Sequence, residues 1–212
     1  MASRSPPRSP SLWIIAGPNG SGKSSAYGMA AVNEPSGSIW IINPDELARR
    51  IAEQEDLPLQ PANLEAVRRI ESWLFTSLDA YQTIGVETVL STDKYRRLVE
   101  HARKRGFSVS LIYVFLETAE LNVERVATRV RKGGHAVPED KIRGRRDRSF
   151  AQFGWFFDAA DTVDVYDNSG ARPQRVMTKR GDEVTVYDDL PDGMLASLEQ
   201  VMPGFGAIYE GD

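Results

Sequence analysis

The sequence predicts an α/β fold: a parallel five-stranded sheet flanked by helices, with a C-terminal β-hairpin. Three observations predict it. Short apolar runs rich in β-branched residues alternate with stretches of helical periodicity through most of the 212 residues, which implies parallel strands joined by right-handed crossovers. The first run, Leu12-Trp13-Ile14-Ile15-Ala16, leads directly into Gly17-Pro18-Asn19-Gly20-Ser21-Gly22-Lys23-Ser24. That is a complete phosphate-binding loop at the point where a buried strand passes into a helix. After Gly170 the alternation stops, and two strand-like runs flank Arg180-Gly181-Asp182, the pattern of a hairpin.

The elements follow in order. Ser38 to Ile42 reads as the second strand, stopped by Asn43-Pro44-Asp45, and Glu46 to Glu55 has helical spacing through Leu47 and Ile51. Pro61 to Tyr81 carries Leu64, Val67, Ile70, Trp73, Leu74 and Leu78 near a 3.6-residue period, a long amphipathic helix. Val86 to Ser91 is the third strand and Tyr95 to Arg105 a helix that Gly106 closes. Ser108 to Phe115 is the fourth strand, Ala119 to Lys132 a helix halted at Gly133-Gly134, and Pro138 opens the next helix. Thr162 to Tyr166 is the fifth strand; Pro173 to Lys179 and Glu183 to Asp188 make the hairpin, and Met194 to Val201 a short closing helix. The chain therefore divides into a disordered Ser/Pro/Arg tail at 1–10, a core at 11–170, and a hairpin with a short helix at 171–212 packed on that core.

Composition narrows the chemistry. With 41% apolar and 26% charged residues, the chain is ordinary for one soluble domain. It has no cysteine, which removes disulfides, thiolate zinc sites and a cysteine nucleophile and suits a reducing cytoplasm. His101 and His135 are its only histidines, so a histidine metal cluster is excluded. No segment has the length or apolarity of a membrane span. Charge is unevenly spread: Arg125 to Arg148 holds nine basic residues against three acids, and Asp182 to Asp212 holds eight acids and no base. A basic segment in an acidic chain points to a confined anionic ligand more than to a long nucleic acid.

The loop assigns Gly17, Pro18, Asn19, Gly20, Ser21, Gly22, Lys23, Ser24 and Ser25 to nucleotide binding. Lys23 reaches the β- and γ-phosphates and the Ser24 hydroxyl ligates Mg²⁺. Asp45, at the end of the second strand, has two readings: a carboxylate that takes the proton of an attacking hydroxyl or orders the magnesium shell, or the N-cap of the helix beginning near Glu46. Glu87-Thr88, placed at the start of the third strand, includes a carboxylate among apolar neighbours, so Glu87 meets a metal-bound water or a substrate hydroxyl, or else faces solvent at a strand edge. Gly133-Gly134 between two arginine-bearing helices makes a hinge for a lid over about 125–150. Arg145 and Arg148, three apart on one helix face, are suited to the same anion. The chain lacks Asn-Lys-x-Asp, Leu-Ser-Gly-Gly-Gln and an apolar run ending in Asp-Glu, which argues against GTPases, transporter ATPases and ATPase motors.

Taken together, the loop, Asn43-Pro44-Asp45-Glu46, Glu87-Thr88-Val89-Leu90-Ser91, Arg131-Lys132-Gly133-Gly134-His135-Ala136-Val137-Pro138, Ile142 to Ser149 and Tyr166-Asp167-Asn168-Ser169 form an ordered set. It resembles the zeta toxins and their small zeta-like relatives, from about Leu12 to Gly170. The resemblance implies a P-loop kinase fold and ATP- and Mg²⁺-dependent phosphorylation of UDP-N-acetylglucosamine on the sugar 3′-hydroxyl. By the same resemblance Lys23 is the phosphate lysine, Ser24 the magnesium hydroxyl and Asp45 the base. Glu87 and Thr88 match a substrate-side pair, Arg131 is assigned to the substrate, Arg145 and Arg148 match the lid arginines, and Asn168 flanks the adenine. A nucleotide-sugar substrate and a separate antitoxin protein are the implied partners. The chain departs from its small relatives at Arg145-Arg146, where they show Arg-Tyr, and at Gln152, where they show Asn. Two other readings stay open: a P-loop enzyme acting on another nucleotide or a nucleic-acid end, and a nucleotide-binding interaction module without turnover.

Overall fold

Apolar side chains at alternate positions give the strands two buried faces, and that pattern builds the centre of the molecule. The computed structural model describes residues 9–24, 40–42, 44–56, 58–134 and 136–206. Its strands are β1 (Ser11–Ala16), β2 (Trp40–Ile42), β3 (Ile84–Thr88), β4 (Ser108–Phe115), β5 (Thr162–Asp167), β6 (Gln174–Arg180) and β7 (Glu183–Val186). Its helices are α1 (Pro44–Glu55), α2 (Leu59–Asp79), α3 (Arg96–Lys104), α4 (Ala119–Arg131), α5 (Glu139–Ala159) and α6 (Asp192–Val201). Residues 1–8 of the expected tail at 1–10, and the first residues of the expected second strand, lie outside the described residues.

The strands form one sheet in the order β2-β3-β1-β4-β5-β6-β7. Neighbours from β2 to β5 run parallel, as expected, with Ile14 opposite both Val86 and Leu111. The sheet has seven strands rather than five, because β6 pairs antiparallel with β5 and β7 with β6. The hairpin thus satisfies the N–H and C=O groups that would line an open edge of β5.

One sheet face, carrying Leu12, Ile14, Val86, Leu111, Tyr113 and Val165, is covered by Leu74 and Leu78 of α2, Leu98 of α3, four phenylalanines of α5 and Leu198 of α6. Phe150, Phe153, Phe156 and Phe157 are each no more than 3% exposed, and burying each contributes on the order of 1.5–3 kcal/mol before entropy is counted. They mark α5 as the principal helix of the core.

The C-terminal segment grips that helix. The Gly154 N–H donates to Ser197 Oγ at 3.2 Å, and a Cβ on Gly154 would collide with the Ser197 carbonyl. Lys179 of β6, largely buried, donates to the carbonyls of Phe157 and Asp158 at 2.8 and 2.9 Å. A cation there satisfies the last carbonyls of α5 and complements its dipole, and burial lowers the pKa of its ammonium. Gly154→Ala should destabilise the protein by about 1–3 kcal/mol through overpacking, read as a lower urea midpoint with an unchanged slope. An unaltered midpoint would mean that α5 and α6 separate at no cost.

Candidate active site

A glycine-rich loop cradles phosphate only if its backbone adopts conformations closed to other residues. Gly17, Gly20 and Gly22 have φ of 142°, 77° and 82°, all in the region that favours glycine. Each glycine is also where another element touches the loop. A Cβ on Gly17 would strike the Val114 carbonyl of β4, one on Gly20 would lie 2.8 Å from the Asn122 carbonyl of α4, and one on Gly22 would strike Asn168 Nδ2, just past β5. Lys23 and Ser24 are already helical. The Lys23 ammonium folds back across the loop and donates to the carbonyls of Gly17 and Pro18 at 2.8 and 3.2 Å. Ser25 lies outside the described residues.

Two buried amides hold the loop from the β4–β5 side. Asn122 Nδ2 donates to the Asn19 carbonyl at 2.7 Å, and Asn168 Nδ2 to the Ser21 carbonyl at 2.8 Å. Asn168 is itself fixed: its N–H donates to the Phe115 carbonyl at 3.0 Å, and its carbonyl accepts from Arg125 Nη2 at 2.7 Å. Expected beside an adenine, Asn168 has its side chain on the loop backbone. Arg125, Glu124, Thr128, Arg129 and Lys132 line a cleft of about 530 Å³ along α4.

On the β2–β3 side, the Ser24 hydroxyl donates to Glu87 Oε2 at 3.3 Å. This pair stands at the carboxyl end of β3. The sequence reading put Glu87-Thr88 at the start of a strand running to Ser91; the strand instead begins at Ile84 and ends at Thr88. Gly85 belongs inside it because Ile41 and Trp13 press close, with a Cβ there 3.1 and 3.3 Å from their side-chain atoms. Past Thr88 the chain turns: Leu90 has φ of 58°, and its N–H donates to Thr88 Oγ1 at 3.0 Å. Asp45 falls in the first turn of α1, just beyond the end of β2; its side chain lies outside the described residues. Because α1 begins at Pro44, Asp45 sits inside the first turn rather than at the N-cap.

The arginines divide into anchors and unengaged cations. Arg146 Nη2 donates to the carbonyls of Leu116 and Glu117 at 3.2 and 2.7 Å, its guanidinium lies over Phe150 at 4.4 Å, and burial lowers its pKa. The fully buried Ser149 donates to the Val89 carbonyl at 2.7 Å and pairs with the Tyr113 hydroxyl at 2.7 Å; burial raises the pKa of Tyr113. These contacts fasten α5 to the carboxyl ends of β3 and β4. Arg145 and Arg148 make no hydrogen bond or ion pair with the described residues. They share a helix face with Gln152, whose Oε1 accepts from Arg96 at 2.8 and 3.2 Å. Arg131 is exposed at the end of α4, donates to Thr128 Oγ1 at 2.8 Å, and makes no hydrogen bond to the loop.

Sequence reasoning missed Asn122 as a site residue and counted Arg125 only as part of a basic stretch. The available signal was an asparagine on the otherwise apolar face of α4, four residues before Val126. A polar side chain there needs a buried partner.

A glycine cradle after β1, parallel strands ordered β2-β3-β1-β4-β5 and functional side chains at their carboxyl ends define the P-loop kinase fold. The chain belongs to the Zeta toxin family, which it matches over residues 2–190. An uncharacterized protein of Haemophilus influenzae is 28% identical over 141 residues, 63% of this chain and 96% of that protein. Among solved structures, a chain of the AvrRxo1-ORF1:ORF2 complex with ATP superposes with a TM-score of 0.69 at 16% identity, covering 92% of this chain. The present chain spans 64% of its length. The PezAT chromosomal toxin–antitoxin system of Streptococcus pneumoniae gives 0.61 at 13% identity, covering 94% of this chain and 87% of that one.

Ser149→Ala would leave the Val89 carbonyl and Tyr113 hydroxyl without their buried partner. It should cost about 1–3 kcal/mol, measured by denaturant unfolding; an unchanged stability would show that Ser149 does not fasten α5.

Proposed function

We propose that the protein is an ATP-dependent phosphotransferase of zeta toxin type that acts in the cytoplasm on the hydroxyl of a nucleotide sugar, UDP-N-acetylglucosamine at its 3′ position. The observation that carries the reading is the Ser24 hydroxyl and Glu87 carboxylate 3.3 Å apart, beside a glycine cradle. Mg²⁺ is characteristically bound by one or two protein groups together with substrate phosphates and waters. Ser24 would hold it directly and Glu87 through a water. When bound, ATP would supply the phosphoryl group and Mg²⁺ positive charge to offset that of the phosphates.

The chain's own residues orient and neutralise. Gly20, Gly22, Lys23 and Ser24 carry N–H groups at a helix N-terminus, a site made for anions, while the Ser21 N–H is spent on the Pro18 carbonyl at 3.3 Å. Lys23 would exchange its two loop carbonyls for phosphate oxygens, a shift within the reach of its flexible stem. Arg145 and Arg148 would take the equatorial oxygens of the transferred group, and Asp45 the proton of the acceptor hydroxyl. Thr88 and Arg131 are assigned to the acceptor side. The Arg125–Arg129 cleft is suited to the nucleoside. Since Arg146 and Ser149 tether α5, closure over the substrate would not move the whole helix. The AvrRxo1 complex with ATP supports the nucleotide, and the PezAT system supports a separate antitoxin partner.

Protein, Mg²⁺ and ATP incubated with a panel of nucleotide sugars, nucleosides and oligonucleotides should add one phosphate to UDP-N-acetylglucosamine, detected by mass spectrometry. Phosphate on an oligonucleotide instead would move the assignment to a nucleic-acid end. Lys23→Ala should weaken ATP use, and Asp45→Asn should retain ATP binding but slow transfer by roughly 10²–10⁴. Full turnover in the Asp45 variant would remove it from the mechanism.

A further inference from the structure

In a trans peptide the carbonyl of one residue and the N–H of the next lie in one plane and point in opposite directions. Whatever holds the carbonyl therefore aims the N–H. The Asn19 carbonyl is held by Asn122 Nδ2 at 2.7 Å and the Ser21 carbonyl by Asn168 Nδ2 at 2.8 Å. Those two planes carry the N–H groups of Gly20 and Gly22, residues whose backbones are otherwise the least constrained in the chain. We propose that Asn122 and Asn168 are positioning residues that aim the Gly20 and Gly22 amides at the phosphate chain. The inference rests on the nucleotide-binding reading given above.

Three features distinguish this from ordinary packing. Both side chains are buried, Asn122 at 0% and Asn168 at 6% exposure, and both spend a donor on the loop. Asn122 Oδ1 is left buried with no partner among the described residues. An unsatisfied buried acceptor is destabilising, so an apolar residue would serve a purely structural role better. Finally, the Asn168 backbone is held from both sides by the Phe115 carbonyl and Arg125, which anchors the residue beside the loop, and Asn122 lies on α4 where that helix touches Gly20. Lys23 holds two further carbonyls of the loop, those of Gly17 and Pro18; the first shares its plane with Pro18, which has no N–H to aim.

The test uses the full chain and two probes, pyrophosphate and adenosine, with binding measured by calorimetry and folding by thermal melting. Asn168→Ala, Asn122→Ala and the donor-free isostere Asn168→Asp should each weaken pyrophosphate and ATP by about tenfold while adenosine affinity is unchanged. In turnover assays KM for ATP should rise and KM for the acceptor should not. Should the isostere fail to fold, the alanine variants give the same readout. Folded variants that bind pyrophosphate as the parent does, or that lose adenosine and pyrophosphate alike, would overturn the inference and leave the nucleotide reading intact. A parent chain that binds neither ATP nor pyrophosphate would overturn both.

Discussion

A loop that binds phosphate through its amides must turn its carbonyls the other way, and those carbonyls need partners of their own. That constraint organises this protein. The partners come from three places: Lys23 within the loop, Asn122 on α4 and Asn168 after β5. Helix α4 at Asn122 and the Asn168 side chain approach so closely that no Cβ fits at Gly20 and Gly22, which is why glycines occur at the points of contact as well as at the turns. The loop is thus less an autonomous motif than the meeting point of β1, β4, α4 and the end of β5. Its shape is set by residues more than a hundred positions away in sequence.

Helix α5 ties the rest of the molecule to that meeting point. Its C-terminal half packs four phenylalanines onto the sheet, receives α6 at Gly154 and is capped by Lys179 from the hairpin. Its N-terminal half is fastened over the ends of β3 and β4 by Arg146 and Ser149. Arg145 and Arg148 therefore stand on a helix whose position is determined at both ends. The hairpin and α6, which look peripheral in the sequence, are the far support of the same beam. In the proposed reaction, prearranged cations need less reorganisation when charge develops, which is how electrostatic stabilisation is most effective.

Much of this was legible in the sequence because it is written in local signals. The loop, the five parallel strands, the hairpin at Arg180-Gly181-Asp182 and the stop at Gly133-Gly134 all depend on neighbouring residues. Errors arose where distant residues decide. The third strand was placed from Val86, two residues late; Gly85 is a strand residue because Trp13 and Ile41 crowd it. The hairpin's attachment to the sheet depends on the vacant edge of β5, which no local pattern records. Arg131, assigned to the substrate with the family resemblance, keeps its guanidinium on its own helix, whereas Arg125, two turns earlier, reaches the end of β5. Asn168 was recognised as belonging to the site, but its anchoring beside the loop backbone follows from contacts with Phe115 and Arg125.

The strand order assigns different tasks to the two sides of the loop. Because β1 lies between β3 and β4, the loop that follows it separates a β2–β3 side from a β4–β5 side. Asp45, Glu87 and Thr88 belong to the first; Asn122, Arg125 and Asn168 belong to the second. Acidic and hydroxyl groups suited to a metal or an acceptor hydroxyl collect on one side, and amides and cations suited to a nucleotide on the other. If phosphate passes between two substrates here, it travels across the loop from the α4 cleft toward β3, with α5 spanning the path. The acceptor is then selected by α1, α2 and the turn after Thr88, surfaces that the phosphate-binding loop leaves free to vary. That division explains how one loop geometry serves kinases with unrelated acceptors, and why the acceptor is the part of the chemistry least determined by the motif that reveals it.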